Sequence, residues 1–262
     1  MMRSAKIFIT FFFLIVFIST CSKSDHFQLY GLKKPNAMNV YCQSAPNDAF
    51  KRVEYEYNRN DLINERVLLS GQVQSETTYE YNLNHQITKE IIAFGRTKTI
   101  KYYIYNDQNQ LMTIRRESSE TDASGQVIIE SAGRDTFEYE NNHLVKETQF
   151  WGGSITYEYE GGQLSKKTTH TKYGSPHHIT TYQYLDDLLV VEKKETWLGH
   201  LLYYKTFSYD SRDRLIRIED GGNIIEENVY DEEELLMKKQ YYFGIDPCHA
   251  LCCGNYIYRY EY

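Results

Sequence analysis

The sequence predicts an all-β protein, an antiparallel meander of about eight repeated hairpins that forms an open, curved sheet. Three observations support this prediction. Tyrosine occurs 25 times in 262 residues, and aromatic side chains favour the half-buried positions of strands. A short aromatic motif recurs along most of the chain, and residues that favour turns follow its copies.

The repeated motif consists of an aromatic residue, one variable residue and a tyrosine. The second tyrosines are 20 to 34 residues apart, and a leucine or isoleucine follows each of the first eight by five or six residues. The copies are Tyr55–Tyr57, Tyr79–Tyr81, Tyr103–Tyr105, Phe137–Tyr139, Tyr157–Tyr159, Tyr182–Tyr184, Phe207–Tyr209, a degenerate Asn228–Tyr230 and Tyr258–Tyr260; the aliphatic residues are Leu62, Ile87, Leu111, Leu144, Leu164, Leu189, Leu215 and Leu235. Since two independent features recur together, each copy is interpreted as one unit of a repeat protein.

Turn residues separate the two features of each copy. Asn, Asp, Gly and Gln dominate these short segments, and 12 of the 15 glycines lie between one copy and the next. This pattern predicts a strand, a turn of four or five residues and a second strand in every unit. Residues 232–239 also suit a helix, because Glu, Leu, Met and Lys are good helix formers.

The motif also predicts two different sheet faces. Side chains alternate along a strand, so both rings of a copy project from one face and the middle residue projects from the other. The middle residue is Glu56, Glu80, Glu138 or Glu158 in four copies, and lysine recurs on the following strands. We therefore expect one aromatic face and one face of paired charges, on which each pair contributes about 0.2 to 1 kcal/mol. Alternation by itself does not indicate which of the two faces is buried.

The N-terminus has the layout of a secretory signal peptide over residues 1–20. A basic start precedes an apolar run from Ile7 to Ile18, which is too short for a spanning helix of about 20 residues. The segment that ends at Cys21 resembles the bacterial lipobox. This resemblance implies that Cys21 is lipidated, that residues 21–30 form a polar tether and that the protein is delivered to the outer membrane of the bacterial envelope.

The charge and motif content excludes several function classes. The chain carries 29 basic and 36 acidic residues, which disfavours nucleic acid as a partner and electrostatic docking on anionic lipid. The common nucleophile, zinc and phosphate-loop motifs do not occur in the sequence, so we expect no enzymatic activity and no cofactor. The adjacent His177 and His178, Asp186–Asp187 and residues 231–234 are interpreted as solvated loops rather than as metal sites.

Four further cysteines lie at the two ends of the repeat array, namely Cys42, Cys248, Cys252 and Cys253. An exported protein meets an oxidising compartment, so we favour disulfides over a metal site for this set. Adjacent cysteines pair poorly, which leaves Cys42 joined to either Cys252 or Cys253. In the chain-entropy model such a long loop closure contributes up to about 5 kcal/mol.

The best-preserved repeat is Tyr209–Asn223, which reads YDSRDRLIRIEDGGN, and looser copies extend over residues 53–240. This segment resembles the YD repeat of bacterial Rhs proteins, in which hairpins wind into a shell around a toxin. About eight units are too few to close such a shell, so the resemblance implies an open array. A MORN-like hairpin array is the alternative resemblance. In either case residues 31–52 form an N-terminal cap segment, and residues 241–262 form a C-terminal cap with the last strand.

The sequence favours a non-enzymatic, lipid-anchored envelope protein that acts as a scaffold or as a binding surface for protein partners. The alternative is a glycan-binding lipoprotein in which Tyr157, Tyr159, Trp151 and Trp197 stack on sugar rings. A repeat protein must bury one continuous face, so we expect most motif rings to pack as that core. An enzymatic site in the insertion from Arg116 to Arg134, which lacks histidine, is the third hypothesis.

Overall fold

The computed structural model describes residues 34–42, 45–122, 124, 126–232, 235–241 and 256–261. These residues form 18 strands, which confirms the all-β prediction, and no helix among them could cross a membrane. The strands are β1 Ala37–Cys42, β2 Ala45–Asn58, β3 Asp61–Leu69, β4 Gln72–Tyr81, β5 Ile87–Phe94, β6 Thr97–Tyr105, β7 Leu111–Thr121, β8 Val127–Glu140, β9 His143–Thr148, β10 Ser154–Glu160, β11 Gln163–His170, β12 Pro176–Leu185, β13 Leu188–Thr196, β14 Leu201–Tyr209, β15 Leu215–Asp220, β16 Asn223–Tyr230, β17 Leu236–Tyr241 and β18 Tyr256–Glu261.

The sheet closes into an antiparallel barrel, so the prediction of an open, curved sheet is wrong. Each strand pairs with the next one along the chain, and β18 pairs with β1 through partners such as Tyr258 and Val40. Closure occurs because the segment predicted as an N-terminal cap supplies β1 and the C-terminal segment supplies β18. It removes both unpaired strand edges, each of which is an aggregation hazard in an open sheet.

The segment for which a helix was the alternative contains strand β17, so that alternative is wrong. β17 pairs with β16 on one side and with β18 on the other, and Lys238 faces both Val229 and Arg259. Ladder hydrogen bonds on both edges outweigh the weak helix preference of the local sequence.

A β-bulge recurs in eight hairpins. In each hairpin the pairing register shifts by one residue between the middle residue and the second tyrosine of the motif, as it does between Glu56 and Tyr57. The extra residue lies on the following strand, so the second tyrosine faces the recurring leucine or isoleucine, as Tyr57 faces Leu62. Only β17 departs, because Leu236 rather than Leu235 faces Tyr230. The spacing seen in the sequence is therefore the spacing of a bulged hairpin.

The two ends of the barrel are defined by their turns. The proximal rim, where β1 begins and β18 ends, carries the turns that follow even-numbered strands, including residues 82–86, 106–110 and 210–214. The distal rim carries the turns that follow odd-numbered strands, including residues 149–153, 171–175 and 197–200.

The aromatic face lines the inside of the barrel. Strand register places both rings of each motif on the same face as Val40, Val53 and Val67, which are among the most buried side chains described. Side chains on a concave face converge and those on a convex face spread apart, so the more buried face is the inner one. The middle residues lie outside, where Glu80 pairs with Lys89 at 2.7 Å. Equivalent pairs, Glu138–Lys146 at 2.8 Å and Glu158–Lys166 at 2.9 Å, confirm the predicted charge pairing.

The barrel is wide enough to hold a solvent-filled lumen. Eighteen strands about 4.8 Å apart give a perimeter of about 86 Å, and hence a diameter of about 27 Å before strand tilt widens it. Most of the buried apolar side chains lie on β1, β2 and β3 or on and next to β17 and β18, with Ile155 of β10 as an exception, whereas every residue of β9 and β13 is half-buried. The expectation that the rings pack into one continuous core is thus met only near the seam where the barrel closes.

Candidate functional site

Carboxylates held between aromatic rings form a belt around the lumen. In three places a glutamate on an odd-numbered strand faces a ring on the preceding strand and accepts a hydrogen bond from a tyrosine hydroxyl on the next. The sets are Tyr79–Glu90–Tyr103, Phe137–Glu147–Tyr157 and Tyr182–Glu192–Tyr203. This arrangement gives these three carboxylates hydrogen-bond partners from within the sheet.

Cations complete the belt. Lys101 contacts Glu90 at 2.9 Å, Lys239 contacts Glu226 at 3.2 Å, and Arg116 donates to Asp135. These pairs are mostly screened from solvent, and Asp135 is almost fully buried. Opposite charges thus compensate one another at these three positions, which favours a structural role for the belt.

A second set of tyrosines is bonded to the backbone of the neighbouring hairpin. The second tyrosine of a copy donates its hydroxyl to the carbonyl of the recurring aliphatic residue, as Tyr81 does to Leu62 at 2.7 Å. The equivalent bonds are Tyr105 to Ile87 at 2.8 Å, Tyr159 to Leu144 at 3.0 Å, Tyr209 to Leu189 at 2.9 Å and Tyr230 to Leu215 at 3.0 Å. Burial raises the pKa of Tyr81 to about 12, so its hydroxyl stays protonated and can donate at neutral pH.

The four residues named as glycan contacts do not meet in one place. Tyr157 and Tyr159 lie on the inner face, with their hydroxyls bonded to Glu147 and to the backbone of β9. Trp151 lies in the distal turn that precedes β10, and Tyr159 lies five strand residues, roughly 17 Å at about 3.3 Å per residue, beyond the first residue of that strand. Trp197 shares the distal rim with Trp151. The structure therefore separates the two tyrosines from the two tryptophans.

Three consecutive distal loops share one geometry. The loops comprise residues 149–153, 171–175 and 196–200. In each loop the N–H of the first residue donates to the carbonyl of the fifth residue, and the N–H of the fourth residue donates to the carbonyl of the first. The fourth residue is Gly152, Gly174 or Gly199, each with φ between 80° and 94°, the left-handed region that glycine adopts without strain. The second and third residues project from the tip of each loop.

Five of the six tip residues are large and apolar or aromatic, the sixth is Lys172, and all six are exposed. Tyr173 is 83% exposed, Leu198 79%, Trp197 57% and Trp151 49%. Together with Phe150 and Lys172 they form what we call the aromatic rim: Phe150, Trp151, Lys172, Tyr173, Trp197 and Leu198. Exposed apolar residues that occur singly are ordinary, but a contiguous group on one end of a protein marks an interaction surface.

Contacts between neighbouring loops join the aromatic rim into one surface. The Cβ of Lys172 lies 3.3 Å from the position that a side chain at Gly152 would occupy, so the first and second loops touch. The N–H of Trp197 donates to the carbonyl of His177 at 3.0 Å, which ties the third loop to the start of β12. The rings of His177 and His178 stack with centroids 3.7 Å apart beside this bond.

The proximal rim uses the same turn geometry with polar residues. In residues 82–86 the N–H of Asn82 donates to the carbonyl of Gln86, and the amide oxygen of Asn82 accepts from Asn84 and Gln86. Side chains of adjacent turns also bond one another, as Asn84 does to Asn109 at 2.7 Å. Leu83, which is 99% exposed, shows that a single apolar tip occurs here as well.

A small cleft lies at the proximal rim. It has a volume of about 420 Å³ and is lined by residues that include Asp61, Tyr79, Tyr81 and His85. The imidazole of His85 contacts the carboxylate of Asp61 at 2.9 Å and is mostly exposed. This contact joins two neighbouring turns in the same way as the amide bonds beside it.

Sequence reasoning missed Tyr173 and the grouping of the three loops. The signal was present: an aromatic or basic residue, an apolar residue and a glycine recur at Phe150, Lys172 and Trp197, spaced 22 and 25 residues apart. These triplets occupy the glycine-rich segments between units, which were interpreted only as connections.

The other candidate sites have simple locations. The insertion from Arg116 to Arg134 extends the hairpin of β7 and β8. Within the described part of the chain, no three His, Cys, Asp or Glu side chains come close enough to hold a metal ion. Cys21, Cys248, Cys252 and Cys253 lie outside the described residues, and Cys42 is the last residue of β1, where it faces Tyr256. The disulfide and lipidation assignments stay predictions.

Comparison with known proteins gave structural similarities alone. No family model and no curated protein matches this chain. A porin-like protein from Bacteroides uniformis is similar over 66% of this chain and 94% of its own, with 14% identity and a TM-score of 0.40. Two structures of the TcdB2–TccC3 complex are similar over 82% of this chain and 14% of theirs, with 12% identity and TM-scores of 0.25 and 0.26. The YD-repeat resemblance stays a prediction.

Proposed function

We propose that this protein is a non-enzymatic, lipid-anchored protein of the bacterial envelope that binds a partner through its aromatic rim. The observation that carries this proposal is the difference between the two rims. Both are built from the same turn, which polar residues form without difficulty at the proximal rim. Folding therefore does not require rings at three consecutive distal tips, and a binding role accounts for them.

The direction in which the chain enters the barrel supports a binding role for the aromatic rim. The polypeptide enters the barrel at the proximal rim, where β1 begins at Ala37. A lipid on Cys21 would thus tether the proximal side, and the aromatic rim at the other end would be the side presented away from the point of attachment.

The outer face supports a tether rather than a barrel that spans the bilayer. Membrane barrels face lipid with an apolar band about 25 Å tall. Here the outer face carries ion pairs on three of the described hairpins, Glu80–Lys89, Glu138–Lys146 and Glu158–Lys166. Acyl chains on Cys21 would supply the membrane affinity that this charged surface lacks.

Site-specific photocrosslinking tests the proposal. A benzophenone side chain is placed at Tyr173 or Trp197 in the lipidated protein in cells, and at Leu83 as the matched control on the same turn at the proximal rim. Because benzophenone attacks C–H bonds of any partner, we expect one discrete product from both distal positions. Equal labelling at Leu83, or no product from either distal tip, would contradict the proposed function.

A further inference from the structure

The ring of Trp151 is held flat against its own loop. A methyl group added to Gly153 would overlap the six-membered ring of Trp151, so the ring lies directly on the glycine backbone. One ring face is covered in this way, and the side chain is still 49% exposed. Phe150 turns the other way and packs against Gly133 of β8. Trp151 is thus a fixed platform with one open face.

The loop tips of the aromatic rim are evenly spaced. The three loops belong to consecutive hairpins, so each tip is two strands, or about 10 Å, from the next. Trp151 and Tyr173 hold the third position of their loops and Trp197 holds the second position of its loop, so each tip contributes one of these rings to the row. Such a row matches a partner with a regular repeat along its length.

Polar groups alternate with these rings. The ammonium group of Lys172 lies 5.0 Å from the centre of the Tyr173 ring, and the backbone carbonyl of His177 accepts a hydrogen bond from the N–H of Trp197. Polar residues thus lie next to two of the rings. A sugar chain presents the same alternation, since each pyranose ring has an apolar face of C–H groups and a rim of hydroxyls.

We propose that the aromatic rim binds a linear polysaccharide, which lies across the tips of the three hairpins with its sugar rings stacked on Trp151, Tyr173 and Trp197. This inference rests on the proposed function and names its partner class. It moves the glycan-binding alternative from the inner tyrosines to the distal loops, where the side chains of the rings are exposed.

The protein contains its own reporter for this site. Its two tryptophans, Trp151 and Trp197, both belong to the aromatic rim, so tryptophan fluorescence reports on that surface directly. A chain that begins at Ser22 retains all 18 strands, because the first of them starts at Ala37. This soluble chain is titrated with cellohexaose, xylohexaose, mannohexaose, chitohexaose and soluble peptidoglycan glycan strands, and with the matching monosaccharides.

We expect one of these oligosaccharides to change the tryptophan fluorescence. Its Kd should be at least about tenfold lower than that of the matching monosaccharide, because a monosaccharide can cover only one ring. Calorimetry on Trp151→Ala and Tyr173→Ala should each show about a tenfold weaker Kd, since one aromatic contact is lost. Gly153→Ala, which displaces the platform but removes no ring, should weaken binding as well. Leu83→Ala at the proximal rim should bind as the parent chain does, and far-UV circular dichroism checks that each variant keeps its sheet.

The outcomes separate the two proposals. If no hexasaccharide or glycan strand binds while the distal photocrosslinks capture a protein, the polysaccharide inference is overturned and the proposed function stands. Binding that is unchanged by all three distal substitutions also overturns it. If phosphatidylethanolamine–phosphatidylglycerol vesicles shift the fluorescence and none of the glycans does, the polysaccharide inference is likewise overturned. If the distal tips capture nothing and no glycan binds, both proposals fail.

Discussion

Replacing Glu65 with glutamine should make the protein more stable in neutral and alkaline buffer. Glu65 lies on the inner face of β3 opposite Tyr55 and Thr77, and its side chain is 3% exposed. One of its carboxylate oxygens is buried without a hydrogen-bond partner. Burial raises the pKa of this carboxyl from 4.5 to about 7, and the nearby Lys51 opposes the shift only in part.

The sign and size of the effect follow from proton linkage. Between pH 4.5 and 7 the folded state binds more protons at Glu65 than the unfolded state does, so the free energy of unfolding falls as pH rises. Below pH 4.5 both states are protonated and the penalty is absent. The difference between the two pKa values, at 1.36 kcal/mol per unit, sets the full penalty above pH 7 at about 3 kcal/mol.

Urea unfolding of the parent and of Glu65→Gln between pH 4 and pH 8 measures this effect. The neutral amide should leave stability within about 0.5 kcal/mol at pH 4 and raise it by up to about 3 kcal/mol at pH 8. Glu80→Gln, on the outer face beside Lys89, is the control and should change stability by less than about 1 kcal/mol at either pH. Lys51→Met should lower stability at pH 8. Parallel pH profiles for the parent and Glu65→Gln would refute the reasoning.

Three further predictions concern the barrel and its attachment. Tyr81→Phe removes one tyrosine-to-carbonyl bond and should cost about 1 kcal/mol in urea unfolding, whereas Tyr102→Phe on the outer face should cost less than about 0.5 kcal/mol; equal losses would contradict a role for the bond. Cys21→Ser should release the protein from the membrane fraction or trap its precursor, and unchanged fractionation would argue against lipidation. Mass spectrometry of non-reduced peptides should find Cys42 linked to the segment 242–255, and a free Cys42, or zinc that is lost on replacing Cys248, would contradict the disulfide.

Local features of the sequence were sufficient to predict the strands, the turns and the two faces. Alternation with period two is a property of any strand, so Tyr79 and Tyr81 had to share a face and Glu80 had to lie on the other. Turn residues such as Asn and Asp act on their own backbone, as Asn82 does at 2.9 and 3.0 Å, and therefore mark turns without tertiary information. The spacing from the second tyrosine to the next aliphatic residue likewise reflected a bulge within a single hairpin.

The tertiary structure alone decided closure, the buried face and the position of the site. Closure depends on pairing between Val40 and Tyr258, which are far apart in the chain, and no local pattern specifies such a contact. The direction in which the sheet curves then determined that the tyrosines face the lumen and the charge pairs face outward. The same curvature and register brought Trp151, Tyr173 and Trp197 to one rim and left Tyr157 and Tyr159 bonded inside. A residue's sheet face follows from its neighbours in sequence, but its place on the barrel follows from how all 18 strands pair.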